Sequence, residues 1–464
     1  MIAAAAGLGM ALAAMDIALN VALPALTRDL DTDLQTVQWV IIVFVAARAG
    51  LVLGAGSFAD RFGVRQVYLF GAAAYLVAMI AIALSPNLGT IVAFRVVQAL
   101  GTGCLYAVSP AIVARLFPAR RRGLAMGFTT ASQAAGMLIA TLGAGLLVQW
   151  FGWEAVFLAR VPFVVLAMVL GFIWLERGPQ RVGGPSFDVT GAVTLIAGLL
   201  CLVVGLRLGR SIGWTSEVVL VLLPLAPVFL LAFWWAEGRS GWPILPRELL
   251  RVPGFVISSL SMFLAQLGVF VIWFIFPFYI GDGLNREPVI LGLLLGVMAV
   301  LNIVFSTLGG WLCDRIGVQP VGVAGLAAVA GGLMYMGFLD SQSGVAQVGS
   351  RIAIVGAGLG LFQSAAYALM MSSIPPERFG TASAALSLAQ AFGTVLSVAV
   401  IGGIFAASTG FHLGDLAGSG LAPAEKDAQA FIMAFQDVFR ISAAVVVVSA
   451  GAFTLSRWRR GANY

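Results

Sequence analysis

Apolar residues fill this chain in stretches of about twenty, separated by short polar segments. Fourteen such stretches are read, at approximately 2–26, 35–57, 66–85, 88–115, 123–149, 153–175, 188–208, 216–236, 254–279, 288–312, 319–339, 347–373, 381–407 and 433–456. At a rise of about 1.5 Å per residue, a helix of that length matches the hydrocarbon core of a bilayer. The pattern predicts an all-α polytopic membrane protein with fourteen transmembrane helices. Met1 to Leu26 reads as the first of them, since it has no basic n-region and no convincing cleavage site.

Composition removes the soluble alternatives. The chain is 61% hydrophobic and 10% charged, with a mean hydropathy of +1.02; soluble domains sit near ~45–50% and ~25%. The net charge of +6 is a topology signal rather than a nucleic-acid signal. With the N-terminus inside, the inner loops hold Arg61, Arg65, Arg115, Arg120, Arg121, Arg122, Arg315 and Arg378, among others, and the outer loops hold few bases such as Arg28, Arg210, Arg286 and Lys426. That bias predicts a multi-pass protein of the cell membrane with both termini cytoplasmic. Lys426, the sole lysine, is followed by Asp427, so no phosphate-binding G-K-[ST] loop exists and the chain has no ATP motor. Cys104, Cys201 and Cys313 are odd in number and scattered, and His412 stands alone in the outer segment 408–432. No disulfide, metal site, cofactor or nucleophile–base pair is read from them, so an enzyme is not expected. That outer segment reads as a lid or a plain linker.

The chain also repeats itself. Gly56-Ser-Phe-Ala-Asp60-Arg61-Phe-Gly63 recurs as Gly310-Trp-Leu-Cys-Asp314-Arg315-Ile-Gly317; Arg95 is echoed by Arg351; Gly123, Gln133 and Gly136 recur as Gly380, Gln390 and Gly393. The offset drifts only from 254 to 257 residues. Two six-helix halves related by duplication follow, as parallel repeats about an axis along the membrane normal. The domains expected are an N-terminal bundle at 1–180, an inserted two-helix hairpin with linkers at 181–252, and a C-terminal bundle at 253–464.

Four segments carry a family resemblance over essentially the whole chain. They are Asp16-Ile-Ala-Leu-Asn20-Val-Ala-Leu-Pro24, Gly56 to Arg65, Arg95-Val-Val-Gln98-Ala-Leu-Gly101-Thr-Gly103, and Trp153-Glu-Ala-Val-Phe157 to Pro162. In that order they resemble the signatures of the major facilitator superfamily and of its fourteen-helix drug:proton antiporter group. The resemblance implies two pseudo-symmetric bundles, alternating access, and a part for Arg95 in proton relay. One departure is visible. The fifth helix of that group reads G-x-x-x-G-P-x-x-G-G, whereas this chain has Gly136, Ala140, Thr141, Gly143, Ala144 and Gly145 in the corresponding stretch, without the proline that assures a bend.

The residues that carry chemistry are the ionisable ones inside apolar stretches. Asp16 lies eight residues before Pro24, roughly 12 Å from the outer end of its helix. Burial raises the pKa of such a carboxylate and a nearby Arg lowers it, as proton coupling requires; the plainer reading is a fixed ion pair. Arg95, at a similar depth, is the expected partner, either in proton relay or as a structural pair. Arg48 sits in the middle of the second stretch, where a central Arg costs at least ~2.5–3.5 kcal/mol. It is met by backbone carbonyls or by an anionic substrate. Asn20, Gln98, Tyr106, Gln133, Met137, Gln266, Trp273, Gln363, Tyr367 and Gln390 complete the expected substrate cavity. In the two Asp-Arg loops, Gly56, Asp60, Arg61, Gly63 and Arg65 with Gly310, Asp314, Arg315 and Gly317 read as a conformational gate. There the carboxylate is expected to face a neighbouring helix N-terminus, and the arginines to pair with carboxylates across the interface. Topology anchoring alone is the alternative.

The function expected is proton-coupled export of lipophilic or amphiphilic small molecules by a monomer, without ATP or nucleic acid. The alternative is a lipid or fatty-acid translocase on the same fold, with or without proton coupling.

Overall fold

The computed structural model describes the chain apart from residues 33–36, 38, 177–188, 212, 214, 241–242, 244, 285, 287 and 456–464. Among the described residues there is no β-strand. The long helices in chain order are α1 (Ile2–Ala14), α2 (Leu19–Asp29), α3 (Trp39–Phe62), α4 (Val64–Ala83), α5 (Leu88–Leu116), α6 (Arg122–Phe151), a short α7 (Glu154–Leu158), α8 (Val161–Trp174), α9 (Val189–Ser211) and α10 (Glu217–Glu237). They continue with α11 (Pro253–Val269), the short α12 (Val271–Phe274) and α13 (Phe276–Phe278), α14 (Pro288–Ile316), α15 (Val318–Met336), α16 (Val345–Ser372), α17 (Phe379–Asp415) and α18 (Pro423–Thr454).

Among the described residues twelve helices are long and apolar enough to cross a membrane, and two shorter apolar helices, Ile2–Ala18 and Val193–Leu206, fall below that length. The difference from the expected fourteen lies in the first and seventh stretches. In the first, the α-helix tightens into a 3-10 turn at Met15–Ala18, which interrupts the regular helix at Asp16. In the seventh, α9 runs Val189–Ser211, but the stretch that counts as apolar helix is only Val193–Leu206. Side chains on the outer surface, such as Phe70, Phe172 and Leu231, are apolar and exposed, as a lipid-facing surface requires.

The duplication is visible in packing. Gly63 and Gly317 end α3 and α14 at φ 99° and 96°, where only glycine is unstrained, and so turn the chain into α4 and α15. The helix pairs that follow cross on glycines in both halves. A Cβ on Gly101 would lie 2.7 Å from the Tyr75 nitrogen, and one on Gly358 would lie 2.7 Å from the Val329 nitrogen. Small residues at such crossings let membrane helices approach closely.

Two further expectations are corrected. The stretch 254–279 is not one helix: it breaks after Val269 into α12 and α13 and then a π turn at Tyr279–Gly283. Pro277 lacks the N–H that a continuous helix needs there. The outer segment 408–432 is largely helical and not a linker, because α17 continues to Asp415 and α18 begins at Pro423. His412 is not alone in a loop: its Nε2 lies 2.8 Å from Asp437 Oδ2, tying the end of α17 to the middle of α18.

Candidate functional site

The 3-10 turn at Met15–Ala18 points Asp16 into the first bundle, where it is 8% exposed. Its Oδ1 accepts from Arg160 Nη1 at 3.0 Å, from Gln98 Nε2 at 2.5 Å and from the Tyr75 hydroxyl at 3.3 Å. Its Oδ2, also buried, has no hydrogen-bond partner among the described residues. Arg160 stands between α7 and α8, is 4% exposed, and also reaches the Tyr75 hydroxyl at 3.2 Å. The expected partner Arg95 is therefore one residue removed. It donates to Gln98 Oε1 at 2.7 Å through Nη1 and to the Val40 carbonyl at 3.0 Å through Nε, and it lies over the Phe44 ring at 4.0 Å. Gln98 bridges the two, one turn below Arg95 on the same face of α5.

Arg160 is the member of this cluster that the sequence did not single out. The signal was present: an Arg inside the apolar stretch 153–175, between Phe157 and Pro162, is as costly there as Arg48 or Arg95.

A cavity of about 190 Å³ opens beside this cluster. Asp16, Arg48, Arg95, Tyr106, Gln133 and Met137 line it from the N-terminal half, and Gln266, Phe270, Trp273 and Gln390 from the C-terminal half. A smaller chamber of about 60 Å³ shares Gln133, Met137, Gln266, Trp273 and Gln390 and adds Gln363 and Asn302. Phe270 and Trp273 reach the wall where α11 breaks into α12. Gln133 Nε2 donates to the Tyr106 hydroxyl at 3.1 Å. Gln98 stays behind the wall on Asp16, and Tyr367 is buried and lines neither chamber. The side chain of Asn20 lies outside the described residues. Arg48 is the open group. It sits over the rings of Phe44 and Tyr106 at 5.2 and 5.3 Å, with no hydrogen bond or ion pair among the described residues. Backbone carbonyls do not satisfy it.

At the helix ends carrying the Asp-Arg turns, the two halves lock. Asp60 accepts from the backbone nitrogens of Gly380 and Thr381 at 2.8 and 2.7 Å, capping the start of α17. Asp314 accepts from Gly123 and Leu124 at 2.8 and 2.9 Å, capping the start of α6. Each half thus supplies a carboxylate to the positive end of a helix of the other half. Beside each cap the backbones meet on glycine: a Cβ at Gly56 would lie 2.5 Å from the Ala384 Cβ, and one at Gly310 would lie 3.0 Å from the Gly127 Cα. Contrary to expectation, among the described residues Arg65 and Arg315 make no ion pair across the interface; Arg115 and Arg122 do reach across, donating to the Pro376 carbonyl at 3.3 Å and to the Met371 carbonyl at 3.1 Å. Arg65 donates to the Phe172 carbonyl at 2.6 Å within its own half, Arg315 stacks over Trp311 at 4.0 Å, and Arg61 lies over Phe62 at 5.1 Å. Asp60 and Asp314 are already committed to backbone N–H groups, and Arg115 lies 3.8 Å from Asp60.

The helix-5 departure leaves α6 unbroken from Arg122 to Phe151, with Thr141 bonding back to the Met137 carbonyl at 2.7 Å. Gly136 still serves close approach, since a Cβ there would lie 2.6 Å from the Ala11 Cα.

Comparisons with known proteins agree with this geometry. The sequence model described as Major Facilitator Superfamily matches residues 5–190 and 258–461. The chain is 32% identical over 415 residues to the tetracenomycin C resistance and export protein of Streptomyces glaucescens, covering 88% of this chain and 76% of that one. It is 28% identical over 405 residues to the multidrug resistance protein Stp of Mycobacterium tuberculosis (strain CDC 1551 / Oshkosh), covering 87% and 75%. Among solved structures, the proton:xylose symporter XylE superposes with a TM-score of 0.66 at 17% identity, over 97% of this chain and 94% of that one.

Proposed function

The chain belongs to the Major Facilitator Superfamily, and from that premise we propose that it is a proton-coupled exporter of lipophilic or amphiphilic small molecules, of the fourteen-helix drug:proton antiporter group. It is a multi-pass integral membrane transporter and not an enzyme. Two relatives carry names of antibiotic export and multidrug resistance, which supports drug-like cargo. The spans below the length limit, Ile2–Ala18 and Val193–Leu206, are counted as the first and seventh of fourteen. The family model leaves 191–257 unmatched, which supports reading 181–252 as an inserted hairpin between bundles at 1–180 and 253–464. Both termini face the cytoplasm, and the chain works as a monomer.

The observation that carries the coupling is Asp16. One oxygen holds Arg160, Gln98 and Tyr75, and the other is buried with no partner among the described residues. A proton taken at Oδ2 neutralises the carboxylate and loosens its grip on Arg160. The turn of α1 is thereby released from α8, and Arg95 feels the change through Gln98. The two carboxylate caps hold the cytoplasmic side shut; breaking them lets the halves rock, which is alternating access between two discrete states.

The test is uptake of neutral and cationic fluorescent amphiphiles into inverted proteoliposomes under an imposed proton gradient. Gradient-driven accumulation by the wild type that vanishes in Asp16→Asn is expected. A specific observation favours the alternative of a lipid or fatty-acid translocase: an apolar groove of about 350 Å³ on the flank, between Gly54, Phe58, Phe70, Leu100 and Ile196. Movement of lipid that persists in Asp16→Asn without a gradient would establish that reading instead.

A further inference from the structure

We infer that the cavity takes its cargo by an anionic group held on Arg48, so that amphiphilic organic anions (carboxylates, sulfonates or phosphates on an apolar body) belong to its substrates. This rests on reading the cavity as the cargo site, and it is independent of proton coupling. The argument begins with a charge count. Among the described residues, three guanidinium groups, Arg48, Arg95 and Arg160, surround one carboxylate, Asp16. Asp16 is committed to Arg160 at 3.0 Å, and Arg95 spends Nη1 on Gln98 and Nε on Val40.

Arg48 has neither. It is partly buried on the cavity wall, it lies over the faces of Phe44 and Tyr106, and among the described residues it makes no hydrogen bond or ion pair. A guanidinium has five N–H donors in a fork that fits a planar or tetrahedral oxyanion. Two ring faces meet its charge but none of its donors. An arginine held at mid-membrane depth with unused donors beside a cavity is a site for an anion. The opposite wall is apolar and aromatic, with Met137, Phe270 and Trp273, and suits the body of such a molecule. The same charge excess repels dications.

The electrostatics fix the sign of linkage with the proton. Protonating Asp16 removes the only negative charge beside these arginines, so proton and anion bind together rather than in competition.

The experiment is isothermal titration calorimetry on the full chain in nanodiscs with three probes of matched shape: 2-naphthylacetate, 2-(2-naphthyl)ethanol and 2-(2-naphthyl)ethylammonium. The wild type should bind naphthylacetate at least about tenfold tighter than the ammonium, and Arg48→Gln should lose about tenfold for naphthylacetate while keeping the alcohol within about twofold. Asp16→Asn should tighten the anion. Preference for the ammonium, or an anion affinity untouched by Arg48→Gln, would overturn the inference and leave export of other cargo standing. If no probe binds the wild type, the cargo-site reading falls with it. If Arg48→Gln loses all three probes through misfolding, Asp16→Asn decides: tighter naphthylacetate binding supports the site, and unchanged or weaker binding overturns it.

Discussion

At Asp16, one carboxylate oxygen collects three donors and the other collects none, so the residue has a fixed side and a free side. The fixed side is a buried ion pair with Arg160, and removing one member of such a pair costs about 3–5 kcal/mol because the other charge is left uncompensated. Arg160→Gln is therefore expected to lower the thermal midpoint in detergent strongly. Asp16→Asn combined with Arg160→Gln should recover part of the loss, with a coupling of roughly 1–3 kcal/mol. Strictly additive losses would show that the pair is not coupled. Asp16, Arg95 and Gln98 were legible in the sequence because a polar stripe inside an apolar stretch has few places to go. Their pairing was not. Depth along separate helices does not say which guanidinium reaches the carboxylate, and the 3-10 turn that rotates Asp16 toward Arg160 leaves no trace in hydropathy.

Among the elements, the Asp-Arg turns work as helix caps that cross between halves. The repeated spacing of Gly56, Asp60 and Gly63 with Gly310, Asp314 and Gly317 made the position and symmetry of the gate readable. The expectation that the carboxylate meets a neighbouring helix N-terminus agrees with the caps on α6 and α17; which helix each one reaches was not legible, because capping depends on where α6 and α17 begin in space. A native reporter sits in the lock: Cys313 is buried, and a Cβ added at Gly123 would lie 2.8 Å from its Cβ. With Cys104 and Cys201 replaced by Ala, maleimide labelling of Cys313 should be slow in the otherwise unchanged protein. It should speed up several-fold in Asp60→Asn and in Asp314→Asn, each of which weakens a cap worth about 1 kcal/mol, and further in the double variant. Equal labelling in all four would mean that the caps do not hold this side closed. The breaks in α11 to α13 and the helical extension past Phe411 were not legible either, since apolar content is the same in a broken helix as in a straight one.

For the whole molecule, the duplication is symmetric in packing and asymmetric in charge. Gly71 with Gly101 and Gly325 with Gly358 make equivalent crossings. Yet Arg351, the counterpart of Arg95, donates to the Tyr335 carbonyl at 2.9 Å and stacks on its ring at 4.2 Å, with no carboxylate partner in an ion pair among the described residues. The closed side is built from both halves, but the titratable cluster belongs to the N-terminal half alone. Proton coupling therefore centres on Asp16, and the most direct measurement is proton exchange at that residue. Purified protein in weakly buffered detergent, with a pH indicator, is mixed with a neutral lipophilic cargo identified in the uptake assay. Proton release on binding is expected from the wild type and none from Asp16→Asn, with binding itself retained. Equal proton release by both proteins would contradict it.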